Sequence, residues 1–84
     1  MSKRERVREY LTGVLGQKED LDEPLADGES LVLSGRLSSL DVVALLTFLE
    51  DELDFVMDPR QFDLANFDSV DTVVAMLERM PAQG

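Results

Sequence analysis

The chain has no histidine, no cysteine and no tryptophan. Without histidine, the side chain best suited to proton transfer near neutral pH is missing. Without cysteine there is neither a disulfide nor a thiolate to serve as nucleophile or metal ligand. A serine with neither a histidine nor a lysine partner is not an activated nucleophile. Independent catalysis is therefore not expected, and any thiol chemistry has to arrive on a cofactor.

Basic residues are scarce, with 8 Lys and Arg against 18 Asp and Glu, for a formal net charge of −10. That balance argues against nucleic acid as a partner and for basic protein surfaces. Lys3, Arg4, Arg6 and Arg8 hold half of the positive residues, so the chain from Glu19 onward is more acidic still. Apolar runs are short. None approaches the length needed to span a bilayer, no signal peptide is apparent, and no membrane association is expected. A cytoplasmic location follows as the default.

The 84 residues make one small domain over 1–84, with too little chain for a large enclosed active site. A hydrophobic share of 44% is ordinary for a globular protein. The first helix is expected over residues 2–15, with Ser2 and Glu5 at capping-box spacing and Val7, Tyr10, Leu11, Val14 and Leu15 inward. Its basic turn reads foremost as a solvated face, with contact to an acidic neighbour or to the protein's own acidic loop as the alternative.

A long connection follows from Gly16 to Leu37, with an Asp27-Gly28 turn signal. Leu21, Leu25, Leu31, Val32 and Leu33 are expected to pin it, and a turn of helix near 28–32 is expected within it. Asp20, Asp22, Glu23, Asp27 and Glu29 do not have calcium-loop spacing, so no metal site is expected.

The stretch from Gly35 to Leu53 organises the chain. A glycine turn leads to Ser38-Ser39, either of which can cap a helix over 39–54. Val42, Leu45, Leu46, Leu49 and Leu53 recur at helical spacing as its buried stripe. Leu40, Ala44, Thr47 and Asp51 fall on the opposite face. Asp58-Pro59 signals a short third helix over 58–64, with Phe62 as its core anchor. A last helix over 69–80 turns Val70, Val73, Val74 and Leu77 inward.

Ser39-Leu40-Asp41, the leucine-rich helix and Glu50-Asp51-Glu52-Leu53-Asp54 together resemble the acyl and peptidyl carrier proteins. The resemblance covers nearly the whole chain. It departs at Ser38, where that family usually has aspartate, and at Ala44, where fatty-acid carriers usually have glutamate. It implies an all-α fold, a small four-helix bundle of three longer helices and one short one with a long first loop, expected as a monomer. By the same resemblance Ser39 is the attachment point of 4′-phosphopantetheine, transferred from coenzyme A by a Mg²⁺-dependent phosphopantetheinyl transferase. Arg36 is a candidate for a charge-assisted contact with the phosphate, with a solvated loop arginine as the plain alternative. Leu40, Val43, Ala44, Thr47 and Phe48 are expected to touch partner enzymes, with Asp41, Glu50, Asp51 and Glu52 steering them. Those partners would be an acyl- or aminoacyl-loading enzyme, an acyltransferase or a condensing enzyme.

Asp68-Ser69-Val70 looks more like the family's Asp-Ser-Leu motif than Ser38-Ser39-Leu40 does. It opens the last helix, however, and Ser69 reads as an N-cap. The Ser34–Leu37 lead-in and the Asn66–Ser69 segment look like discrete carriers of specialised metabolism, of polyketide or nonribosomal type. The expectation is a stand-alone acyl or aminoacyl carrier that is not itself an enzyme. A D-alanyl-type or fatty-acid carrier is the alternative, and an unmodified acidic adaptor of the same fold is the rival from another class.

Overall fold

The computed structural model describes residues 2–21, 23, 25–58, 60 and 62–79. Three α-helices carry the fold: α1 (Lys3–Gly16), α2 (Ser39–Glu52) and α3 (Val70–Arg79), with a 3-10 helix at Leu64–Phe67. The all-α expectation holds among the described residues, which contain no strand.

Each helix begins where a side chain can satisfy its open N–H groups. In α1, Ser2 Oγ accepts from the Glu5 N–H and Glu5 answers at the Ser2 N–H, completing the expected capping box. At α3, Ser69 Oγ accepts from the Thr72 N–H at 3.1 Å, while the Ser69 N–H donates to Thr72 Oγ1 at 2.9 Å. The expected end of this helix at Met80 lies outside the described residues. Past α2, Asp54 adopts φ 53° and the Phe55 N–H reaches back to the Leu49 carbonyl, six residues earlier, at 3.1 Å, closing the helix.

The helices meet through Val7, Leu11 and Leu15 of α1, Val42, Leu45 and Leu49 of α2, and Val70, Val73, Val74, Met76 and Leu77 of α3. Leu46 and Leu53, expected in the buried stripe of α2, are half-buried at its edges, as Tyr10 and Val14 are in α1. The long first loop contributes Leu25, Leu31 and Leu37 to the core.

Two expectations for that loop fail. Leu33 is 74% exposed rather than a pin, because Val32 to Gly35 form a turn that carries it outward. Residues 28–32 form no helical turn, since the loop's N–H groups are taken by other partners, among them Asp68.

The expected third helix falls only partly on described residues, and Arg60 within it has 3-10 conformation. Its expected range, 58–64, includes Pro59 and Gln61, which lie outside the described residues. Asp58 Oδ1 does accept from the Arg60 N–H at 3.0 Å. The 3-10 helix Leu64–Phe67 follows it, where Asp63 Oδ1 accepts from the Ala65 N–H at 2.9 Å. Its anchor is Phe67, fully buried, whereas Phe62 is 44% exposed.

The basic turn of α1 is not a solvated face. Arg8 makes a two-pronged pair with Asp27, Nε–Oδ1 and Nη2–Oδ2 both at 2.9 Å, and Arg4 joins Asp27 to Asp71 at the start of α3. The charge on α1 thus ties down the protein's own acidic loop.

These contacts predict a direction for acid stability. The Arg4 guanidinium, then that of Arg8, holds the Asp27 carboxyl below its ordinary range. The Ala26 N–H, then Arg36, does the same for Glu29. A carboxylate lowered in the folded state contributes stability above its unfolded pKa, about 3.9 for Asp, and loses it as pH falls through the folded value. The melting temperature is therefore expected to fall between pH 4 and pH 2. A melting temperature that holds or rises over that window would mean that relief of acidic repulsion outweighs these pairs.

Candidate functional site

The α2 N-terminus is built by Ser38, not Ser39. Ser38 Oγ accepts from the Asp41 N–H at 3.2 Å, and Asp41 Oδ2 accepts from the Ser38 N–H at 2.8 Å. This is a capping box spaced Ser-x-x-Asp, a signal present in the sequence but not used there. It gives the departure at Ser38 a physical meaning, because serine and aspartate are both good N-caps. Ser39 is left as the first helical residue. It is exposed, and Ser39 Oγ forms no hydrogen bond among the described residues.

The N–H of Asp41 is taken by Ser38 Oγ and that of Val42 by the Ser38 carbonyl, so the N–H groups of Ser39 and Leu40 stand at the open end of the helix. That end carries the positive pole of the helix dipole.

Arg36 does not provide the expected cation there. Its Nη1 is 2.6 Å from Glu29 Oε2 and its Nη2 is 2.8 Å from Glu19 Oε1, which commits it to bracing the loop. The cation at the start of α2 is Lys18, just past α1, paired with Asp41 Oδ2. The Lys18 ammonium, then the Ser38 N–H, keeps the Asp41 carboxyl below its ordinary range.

The nine residues expected to meet partners separate by helix geometry, since residues seven and eleven apart lie on one side of a helix. Asp41, Phe48 and Glu52 share the flank turned to α1, where they meet Lys18, Tyr10 and Arg6. Phe48 stacks on Tyr10 with ring centroids 4.3 Å apart, and Glu52 pairs with Arg6 at 3.4 Å. Asp41 and Phe48 are therefore partly buried within the chain rather than free on its surface. Leu40, Val43, Ala44, Thr47 and Asp51 form a continuous exposed face, with Leu40 81% exposed. Glu50 lies on the third flank with Leu46, where both border an open cleft of about 440 Å³ that Met57 and Phe62 complete.

Apolar side chains on the exposed face should govern how long a complex lasts, and charge should govern how fast it forms. Leu40→Ala is expected to speed dissociation of a partner enzyme about tenfold or less while leaving the circular dichroism spectrum unchanged. Asp51→Lys is expected to slow association, most at low salt. Binding kinetics across a salt series check both. Wild-type rates in both variants would place the partner on another surface.

Ser69, the serine of the more literal motif, is only 4% exposed, and its hydroxyl is occupied by the α3 cap. The sequence reading of Ser69 as a cap thus agrees with the structure.

No family model matches the chain, and no curated protein matches it. Among solved structures it is similar to the carrier protein crystallised with the glycine:[carrier protein] ligase of Bradyrhizobium japonicum. In the complex with the glycylated carrier, identity is 32% and the TM-score 0.65, over 89% of this chain and 99% of that one. In the complex with the cognate carrier and an analogue of glycyl adenylate, the values are 30% and 0.68, over 94% of this chain and 100% of that one. Because an 84-residue chain spans each match almost end to end, the matched chain is the carrier and not the ligase. The fold is carrier-protein-like. The likeness lies in sequence as well as in shape.

Proposed function

We propose that the chain is a carrier protein that bears 4′-phosphopantetheine on Ser39 and is loaded with an aminoacyl group by a ligase. The observation that carries this reading is the exposed Ser39 hydroxyl at the first position of α2, left unused because Ser38 takes the cap. The likeness to carriers of a glycine:[carrier protein] ligase supports the aminoacyl cargo.

The residues present fit such a group. The open N–H groups of Ser39 and Leu40, at the positive end of the helix, would stabilise a phosphodiester attached at Ser39. Lys18 adds positive charge nearby. The arm, when attached, supplies the thiol that holds the cargo as a thioester. The protein's own part is to present and to be recognised. The Ser38–Asp41 box fixes the helix start, and the exposed face of Leu40, Val43, Ala44, Thr47 and Asp51 offers a surface to partners. A phosphopantetheinyl transferase installs the arm, and a condensing enzyme or acyltransferase of natural-product assembly receives the cargo.

The experiment is a two-step mass measurement. Coenzyme A, Mg²⁺ and a broad-specificity phosphopantetheinyl transferase should add a single arm. A glycine:[carrier protein] ligase with ATP and glycine should then add a glycyl group. No gain in the first step would overturn the carrier reading in favour of an unmodified adaptor. A gain in the first step alone would overturn glycine as the cargo.

A further inference from the structure

Asp68 belongs to the motif that resembles the carrier signature but is not the exposed site. Its side chain has a different occupation. Asp68 Oδ1 accepts from three successive N–H groups, Leu31 at 3.1 Å, Val32 at 2.9 Å and Leu33 at 2.8 Å, and from the Ser30 hydroxyl at 2.9 Å. The Asp68 main-chain carbonyl also accepts from the Leu31 N–H, at 2.6 Å. Successive N–H groups converging on one oxygen form an anion-holding nest, and here the anion is the protein's own carboxylate.

From that nest the chain runs directly to the site. The Leu37 N–H bonds the Leu31 carbonyl at 2.8 Å, and both leucines are buried. Between them the turn is closed by the Gly35 N–H on the Val32 carbonyl at 3.0 Å, with Gly35 at φ 85°. Ser38 and Ser39 follow at once. Asp68 is itself held firmly, between buried Phe67 and buried Ser69 at the start of α3.

We propose that Asp68 is a positioning residue for Ser39, clasping residues 30–33 to the start of α3 so that the chain enters α2 with the Ser39 hydroxyl outward. Burial pushes the Asp68 carboxyl up, but the bonds from Leu33, Ser30, Val32 and Leu31 outweigh it and keep the group ionised. The motif that looked like a second attachment site thus works as the fastening of the first. The inference rests on the reading of Ser39 as the modified serine.

Asp68→Asn keeps the shape and loses the charge, whereas Ser69→Ala weakens the same helix start without touching the clasp. In Asp68→Asn, hydrogen exchange at Leu31, Val32 and Leu33 should accelerate while amides of α1 and the middle of α3 keep their protection. The transferase should show a rise in KM for the carrier of about tenfold with kcat little changed, because only a fraction of molecules present Ser39 correctly. Ser69→Ala should leave KM and the loop amides as in wild type. Unchanged loop exchange or unchanged KM in Asp68→Asn, with wild type accepting the arm, would overturn the proposal. If wild type accepts no arm, the reading of Ser39 fails and the positioning role falls with it, while the exchange data still decide whether the clasp exists.

Discussion

Ser39→Ala is expected to abolish attachment of the phosphopantetheine arm completely, while Ser38→Ala and Ser69→Ala each still accept it. The three serines sit at helix starts and look alike in sequence, but the structure separates their duties. Ser38 Oγ and Ser69 Oγ each accept a first-turn N–H. Their loss should cost stability, about 1 kcal/mol each, and leave a nucleophilic hydroxyl at Ser39. Ser39 Oγ has no such bond, so its removal should barely change the melting temperature. The informative pattern is therefore crossed: modification lost with stability kept at Ser39, and the reverse at Ser38 and Ser69. Intact mass after treatment with coenzyme A and transferase reads the first quantity, and thermal melts read the second. Modification that survives Ser39→Ala would sink the assignment, and modification lost in Ser69→Ala would move it to the more literal motif.

That pattern also shows how far the residues alone could be read. Three α-helices follow from amphipathic spacing, and their caps from Ser2, the Ser38-Ser39 pair and Ser69. These signals are local, and local physics decided them. What was not legible depends on contacts across the chain. Nothing in the spacing of Arg36 shows that Glu19 and Glu29 would occupy its guanidinium, or that Lys18, 23 residues before Asp41, would become the cation at the site. Nothing in the segment from Leu40 to Glu52 shows which of its acidic and apolar residues another helix of the chain will claim. In three dimensions α1 claims the flank holding Asp41, Phe48 and Glu52 and leaves the outer face free. The role of Asp68 leaves no sequence signal for a related reason. A carboxylate that clasps a loop 35 to 38 residues earlier in the chain leaves no periodic trace.

The third helix carried two competing signals. Asp58-Pro59 is a strong start motif that places a short helix over 58–64, with Phe62 as its natural anchor. Asp63 is a weaker signal in sequence, yet it caps the helix that holds Phe67. A short 3-10 segment contains too few residues for periodicity to decide between two phenylalanines five positions apart. Burial decides it.

The energetic consequence is the largest stability effect expected in the molecule. Phe67 is fully buried in a core shared with Leu31, Val70 and Val73, whereas Phe62 lies partly over it with ring centroids 5.5 Å apart. Truncating a buried phenylalanine removes its transfer free energy and leaves a cavity, so Phe67→Ala should cost about 3–5 kcal/mol. Domains of this size have only about 5–15 kcal/mol in total, so the variant should be barely folded at 37 °C. Phe62→Ala loses one aromatic contact and a partly solvated surface, and should cost about 1 kcal/mol. For a domain of this length the second change should lower the melting temperature by about 4–8 °C, and the first by several times that. Phe67→Leu, which fills most of the volume, should fall between them and keep the comparison readable if Phe67→Ala does not fold. Urea or thermal melts of the three variants measure the order. Equal losses at Phe62 and Phe67 would mean that the two rings share the anchoring role, and a larger loss at Phe62 would return the core to the residue that the start motif first suggested.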